Sequence, residues 1–409
     1  MPDETRRHHP DTDSVALGHE AARHLGSLKP PIYETSTFVF ESAEEGKRFF
    51  ELTYGDPDGA TEEETGYIYS RLDSPNLGPA EARLAAWEEA VDAAIFTSGM
   101  GAITTVFLTF LRPGDLVLYS LPTYGGTATL MTGLLRDFGV TTSAFRSGAT
   151  REELESMVGD GRLAMVYVET PANPTNELFD IALAAELAEN HRARLVVDNT
   201  FLSPVWQKPI VHGADLTLHS ATKYLGGHSD LTAGAVCGGA DDVAMLRHTR
   251  YEIGTTPSPS TGWLLGRSLE TLRLRVEQQT SNATQIAAFL AEHERVARVS
   301  HLSLLEPGDP QHDIYKRQCD GPGAMVSFEI AGGEAECFRF LNAMELVRLA
   351  TSLGGTESLA SHPWTMSPPT VPDEEKRSIG VTPGLIRLSV GIEDAEDLIA
   401  DLDGALASI

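Results

Sequence analysis

From about residue 92 the chain alternates two patterns of apolar positions. Short continuous apolar runs, AAIFTSG (93–99), DLVLYS (115–120), AMVYVET (164–170), RLVVDNT (194–200) and ADLTLHS (214–220), are separated by stretches with helical spacing such as ELFDIALAAELAEN (177–190). Runs of this length suit strands buried on both faces, and the helical stretches between them carry the chain back. The pattern predicts an α/β fold with a mostly parallel sheet covered by helices on both faces. Near residue 266 the pattern changes. GRSLETLRLRVEQQTSNATQIAAFLAEH (266–293) reads as one long helix, and GAMVSFEI (323–330) and LIRLSVGIE (385–393) read as short strands, so a smaller α+β domain is expected there. Before residue 76 glycine, proline and acidic residues interrupt any period. The expected organisation is an extended arm over 1–75, an α/β domain over 76–265 and an α+β domain over 266–409. Within the arm, MPDETRRHHPDTDS (1–14) reads as loose and polar, and ELTYGDPDGATEEETG (51–66) as a surface insertion.

The chain's 409 residues carry 31 basic and 59 acidic side chains, a formal charge of −28. The acid is spread along the chain, and no cluster of Lys and Arg offers a surface for phosphate. Nucleic acid and anionic membranes are therefore not expected partners. No apolar run is long enough to cross a bilayer, and the first residues do not read as a signal peptide. Cys237, Cys319 and Cys337 are widely spaced, form no CxxC and suit a reducing cytoplasm. Without HExxH or a histidine cluster, no metal site is expected.

In sheets of this kind ligands sit at the carboxyl ends of the strands. Ser98 and Gly99, Tyr124, Glu169 to Asn173, Asp198 and Ser220 to Lys223 all fall there. In FTSGMGAI, Gly99 and Gly101 open a helix whose free N–H groups can bind phosphate. It is not a dinucleotide fingerprint, because Thr104 stands where the third glycine belongs, which counts against a nicotinamide dehydrogenase. Asp198 ends the hydrophobic strand LVVD and, alone, would read as a helix cap; with a cationic partner it suits a protonated ring nitrogen. HSATKYLGGHSD (219–230) places Ser220 and Thr222 beside Lys223. A Schiff-base lysine, an acid for a pyridinium, phosphate donors and an aromatic for stacking, here Tyr124 of PTYGGT, are the parts that pyridoxal phosphate requires.

The ordered blocks YSRLDSPN, TSGMGAI, YGGT, ETPANPT, VVDNTF, HSATKYLGGHSD, SLGGTESLASHP and IRLSVGIE resemble the Cys/Met-metabolism (trans-sulfuration) family of pyridoxal-phosphate enzymes, from PPIYETSTFVF to RLSVGIED. The resemblance implies fold type I, pyridoxal phosphate as cofactor and a small amino acid as substrate. It makes Lys223 the Schiff-base lysine and proton carrier, sets Asp198 against the pyridinium and stacks Tyr124 on the ring; Lys223 and Tyr124 are the catalytic candidates. Gly99, Met100, Ser220 and Thr222 would hold the phosphate. Tyr69 and Arg71 would reach the phosphate of a neighbouring subunit, so the arm contacts that neighbour and a homo-oligomer, a dimer of dimers, is implied. Asn173, Ser352 and Arg387 would bind substrate, and His228 would fix its own loop.

Three positions depart from the family pattern. Gly126 stands where methionine γ-lyases carry cysteine, Thr351 where many cystathionine enzymes carry glutamate, and Ser74–Asn76 reads SPN for the usual NPT. Trp364 and Met366 are candidate pocket-wall residues. The expectation drawn from these is γ-replacement on an O-acyl-homoserine by a sulfur nucleophile, as in cystathionine γ-synthase. The alternative is γ-elimination by a methionine or cystathionine γ-lyase, or a specialised γ-substitution synthase.

Overall fold

The computed structural model describes residues 8–55, 66–367 and 371–409. Seven strands, β1 (Asp92–Phe96), β2 (Asp115–Ser120), β3 (Thr141–Phe145), β4 (Arg162–Glu169), β5 (Arg194–Asp198), β6 (Leu216–His219) and β7 (Gly234–Gly238), form a sheet in the order β1-β7-β6-β5-β4-β2-β3. Strands β3, β2, β4, β5 and β6 run parallel, and β7 is antiparallel to both of its neighbours. Side chains alternate between the two faces. On β5, Leu195 and Val197 pack into one apolar layer with Phe179 and Leu187, while Val196 packs into the other with Phe96, Phe107 and Tyr167. Helices cover both layers, which is why these strands are apolar throughout.

A second sheet holds β8 (Val296–Ser300), β9 (Met325–Ile330), β10 (Arg348–Leu349), β11 (Leu359–Ser361) and β12 (Leu385–Ser389) in the order β10-β11-β12-β9-β8. It is not a separate body. A single buried cluster runs from Trp87 and Ile95 beside β1 to Phe328 on β9 and Ile386 on β12. This shared core brings the end of β12 toward the carboxyl ends of β4 and β6.

The structure corrects the expectations in three places. Residues 266–293 are not one helix: Pro259–Leu269 and Leu272–Glu292 are separate. The buried Arg275 turns back across the break, donating through Nη2 to the Ser268 carbonyl at 2.9 Å and through Nη1 to the Tyr224 carbonyl at 2.8 Å. The arm is not simply extended, because Pro10–Ala16 and Ala43–Gly55 are helical and Ala21–His24 is a 3-10 turn. Nor is Pro10–Ala16 loose. Proline opens it, His9 caps it, and buried Arg83 donates to the Val15 and Leu17 carbonyls at its C-terminal end. Residues 51–55 of the expected insertion close a helix, whereas 56–65, like 1–7 and 368–370, lie outside the described residues.

Among the described residues no helix is long and apolar enough to cross a membrane. The three cysteines are free, Cys237 and Cys337 buried and Cys319 half-buried. Burial pushes the Cys319 and Cys337 thiols up to about 12.

Candidate active site

Parallel pairing aligns the carboxyl ends of β4 and β5, so Glu169 lies in register with Asp198. Asp198 is buried, and it accepts from the Thr200 hydroxyl (2.5 Å) and N–H (3.1 Å) and from the Tyr167 hydroxyl (3.1 Å). Burial pushes its carboxyl upward, while the Thr200 hydrogen bonds pull the other way. Among the described residues it forms no ion pair. A buried carboxylate held only by neutral donors suits a cationic ligand atom.

Lys223 follows β6 in a tight turn, and its Nζ donates to the Ser352 hydroxyl at 2.7 Å. Burial and the nearby Arg387 charge lower the amine to about 8. Ser352 has a φ of 100°, a backbone state that costs a residue with a side chain about 1–3 kcal/mol. In that state it offers Oγ to Lys223 and its carbonyl to Arg387 Nη2 at 3.0 Å. Arg387, from β12, donates through Nη1 to Asn173 Oδ1 at 2.9 Å, and its buried Nε has no partner. Burial lowers the guanidinium to about 10. One fork edge is thus anchored and one donor left open, as a carboxylate-binding arginine requires.

The helix Gly99–Phe110 begins where Ser98 accepts the Gly101 N–H at 2.9 Å. A Cβ on Gly99 would come 2.9 Å from both Cβ and Oγ of Ser220, so the helix start and the Ser220 turn touch. Thr200 joins this turn to Asp198, because its hydroxyl also accepts the Ser220 N–H at 2.9 Å. The Thr222 hydroxyl bonds the Ala233 carbonyl and N–H and is committed to holding its own loop. Tyr124 is half exposed at the mouth of the site. A Cβ on Gly126 would lie 2.5 Å from its ring and 3.0 Å from Met100 Sδ, so glycine there makes room for the tyrosine.

Lys223, Asp198, Asn173, Ser352 and Arg387 therefore converge, with Gly99, Met100, Ser220 and Tyr124 around them. Tyr69 and Arg71 stand apart. Arg71 bonds the Tyr251 carbonyl at 3.1 Å and stacks on the Tyr251 ring, and Tyr69 bridges to Thr37. His228 holds its loop through the Gly226 carbonyl at 2.8 Å. Trp364 is not an open wall: it is buried with Val381 and Leu385, and Lys376 and Arg377 lie against its ring. Met366 is exposed. The strand-end pattern marks Glu169 without giving it a role, and it misses Tyr167, which reads as core, and Thr200. Glu169 accepts from the Thr123 hydroxyl, the Tyr124 N–H and the Asn173 N–H. Burial and the neighbouring Asp198 push it up to about 8.

These residues fit pyridoxal phosphate. An unpaired buried carboxylate, a lysine made less basic, a glycine-opened helix start against a serine turn and an orphaned guanidinium N–H each answer one part of the cofactor or of an amino acid joined to it. Comparison with known proteins agrees. The profile of the Cys/Met metabolism PLP-dependent enzymes matches residues 11–407. An L-methionine gamma-lyase of Pseudomonas deceptionensis is 40% identical over 401 residues, covering 97% of each chain. A cystathionine gamma-lyase of Bacillus subtilis is 39% identical over 388 residues, 94% of this chain and 95% of that one. The crystal structure of cystathionine gamma synthase from Xanthomonas oryzae pv. oryzae in complex with aminoacrylate and cysteine superposes with a TM-score of 0.88 at 35% identity, covering 98% of both chains. The chain belongs to the Cys/Met metabolism family of PLP-dependent enzymes, within its trans-sulfuration group of γ-lyases and γ-synthases.

Proposed function

We propose that the protein is a γ-lyase that cleaves the C–S bond of a sulfur amino acid of the methionine or cystathionine type. With one water consumed, it would release a thiol, ammonia and 2-oxobutyrate. This revises the expectation of γ-replacement, because relatives at 39–40% identity over nearly the whole chain bear γ-lyase names. The observation that carries the chemistry is Lys223 Nζ, lowered to about 8 and held at Ser352 beside the open edge of Arg387.

Lys223 would hold the cofactor covalently, Asp198 would meet its ring nitrogen and Tyr124 its ring face. Gly99, Met100 and Ser220 would take the phosphate, and Thr222 would do so once its hydroxyl turns from Ala233. Bound pyridoxal phosphate supplies an electron sink for negative charge at the substrate carbons. Arg387 binds the substrate carboxylate, and Asn173 fixes one edge of its fork. Once released by substrate, Lys223 moves protons at Cα and Cβ; an amine lowered to about 8 can both take and return a proton near neutral pH. Thr351 is exposed and uncharged, so nothing at that position pairs with a distal amino group.

The active form is an assembly of at least two copies in which Tyr69 and Arg71 of one reach the phosphate of the other. Supporting this, Leu25, Leu28 and Val39 of the arm are 105%, 85% and 92% exposed, apolar surface that a second copy would cover.

The test is product analysis by mass spectrometry. Purified holoenzyme receives methionine or cystathionine alone, and O-acetyl- or O-succinyl-homoserine with and without cysteine. The expected result is 2-oxobutyrate and ammonia from a thioether substrate with no added nucleophile. A thioether formed only with cysteine, and no turnover of methionine or cystathionine alone, would make it a γ-synthase. Lys223→Ala should lower turnover at least ~10²-fold and leave the cofactor unattached.

A further inference from the structure

Glu169 is a buried carboxylate whose acceptors all face residues of the candidate site. Oε2 accepts from the Thr123 hydroxyl at 2.9 Å and the Tyr124 N–H at 2.7 Å, and Oε1 accepts from the Asn173 N–H at 3.0 Å. Asn173 in turn presents Oδ1 to Arg387 Nη1 at 2.9 Å. The backbone N–H of Glu169 is held by Ser120 Oγ at 2.8 Å, which fixes the end of β4 to the end of β2. One side chain thus spans two separate turns. One carries the aromatic ring, and the other carries the amide that orients the guanidinium.

A role in the fold alone accounts poorly for this arrangement. Among the described residues Glu169 forms no ion pair, and its two oxygens take three donors from just these turns. The ionisable groups facing it are Asp198 from β5, Arg387 from β12 and Tyr167 from its own strand. The like charge of Asp198 disfavours a second carboxylate here. An apolar residue would avoid that conflict, but it would leave the Tyr124 and Asn173 N–H groups without an acceptor.

We propose that Glu169 is a positioning residue that clamps the Tyr124 turn to the Asn173 turn and so sets the stacking ring and the Arg387 fork relative to one another. The proposal rests on the placement of cofactor and substrate given above, but not on whether the substrate undergoes elimination or replacement.

Glu169→Gln keeps the shape but has one acceptor oxygen, so its NH2 must face a donor at one of the two turns. The holoenzyme is compared with this variant by visible circular dichroism of the bound cofactor, read without substrate, and by KM and kcat. Glu169→Gln should retain the cofactor, change the sign or size of its visible dichroic band, and raise KM about tenfold, the scale of one buried hydrogen bond. Asn173→Ala added to Glu169→Gln should raise KM less than Asn173→Ala does alone, because both act on one fork. Thr123→Val, which removes one donor and spares the carboxylate, should shift the band in the same sense by less; it serves if Glu169→Gln does not fold. A native band and native KM in these variants, with only a lowered melting temperature, would overturn the clamp. Tyr124→Leu is run alongside. If it alters the band while Glu169→Gln and Thr123→Val do not, Glu169 has no such role. If none of them alters it, the cofactor does not lie at Tyr124 and the proposal falls with that placement.

Discussion

Burial and the charge of Arg387 together set the protonation of Lys223. The lysine lies in a mostly buried turn, and the guanidinium near it forms no ion pair among the described residues, although the Glu169 carboxyl lies close enough to act on it. Burial first, and then the guanidinium charge, bring the amine from 10.5 to about 8. Only the neutral amine attacks an aldehyde, so uptake of pyridoxal phosphate by the apoprotein should quicken with pH around a midpoint near 8. Arg387→Met should move that midpoint upward; a midpoint above 9 in the native protein, or none of this movement, would show that the guanidinium does not act on the lysine. The effect on stability follows from proton counts. Between about pH 8 and 10.5 the unfolded chain holds the lysine proton and the folded chain does not, so this group's contribution to apoprotein stability rises with pH across that window.

At the scale of elements, the parts visible in sequence were those whose signal is local. The apolar runs located β2, β4, β5 and β6 to within a residue or two, and the residues closing them, Glu169, Asp198 and the turn to Lys223, were marked by position alone. Strand β7 escaped because GAVCG is short and flanked by glycine, and β3 because TTSAF is a half-exposed edge strand with little apolar pattern. Contacts between distant segments were equally illegible. Ser352 meets Lys223 across 129 residues, and Glu169 meets Thr123 across 46. The helix Pro10–Ala16 has only seven residues and would be unstable in isolation. Tertiary contacts make it: Asp11 pairs with Arg273 at 2.8 Å, and buried Arg83 also bonds Glu270 at 3.0 Å and the Gly266 carbonyl at 2.9 Å. Arg83→Met should therefore destabilise the protein by about 3–5 kcal/mol, the scale of breaking a buried pair, and open the arm to proteolysis. A melting temperature and cleavage rate equal to the native protein's would show that the arm is held elsewhere.

The whole molecule carries a formal charge of −28, and its acidic side chains are spread along the chain. Self-repulsion of that size opposes both compactness and the approach of a second copy. Salt at ~0.5 M shortens the screening length to a few ångströms, so melting temperature and the fraction assembled should both rise between ~0.05 and ~0.5 M. A melting temperature that falls with salt would mean that the ion pairs, such as Arg247 with Glu81 and Asp92, outweigh the repulsion.

The cysteines carry a practical consequence. Cys237 and Cys337 are buried, and burial holds Cys319 and Cys337 near 12, so the folded chain presents almost no thiolate at neutral pH. An alkylating reagent should leave the native enzyme unmodified. A cysteine introduced at an exposed position such as Leu274 would then be a unique chemical handle, allowing a dye or spin label to be attached without first engineering the native thiols away.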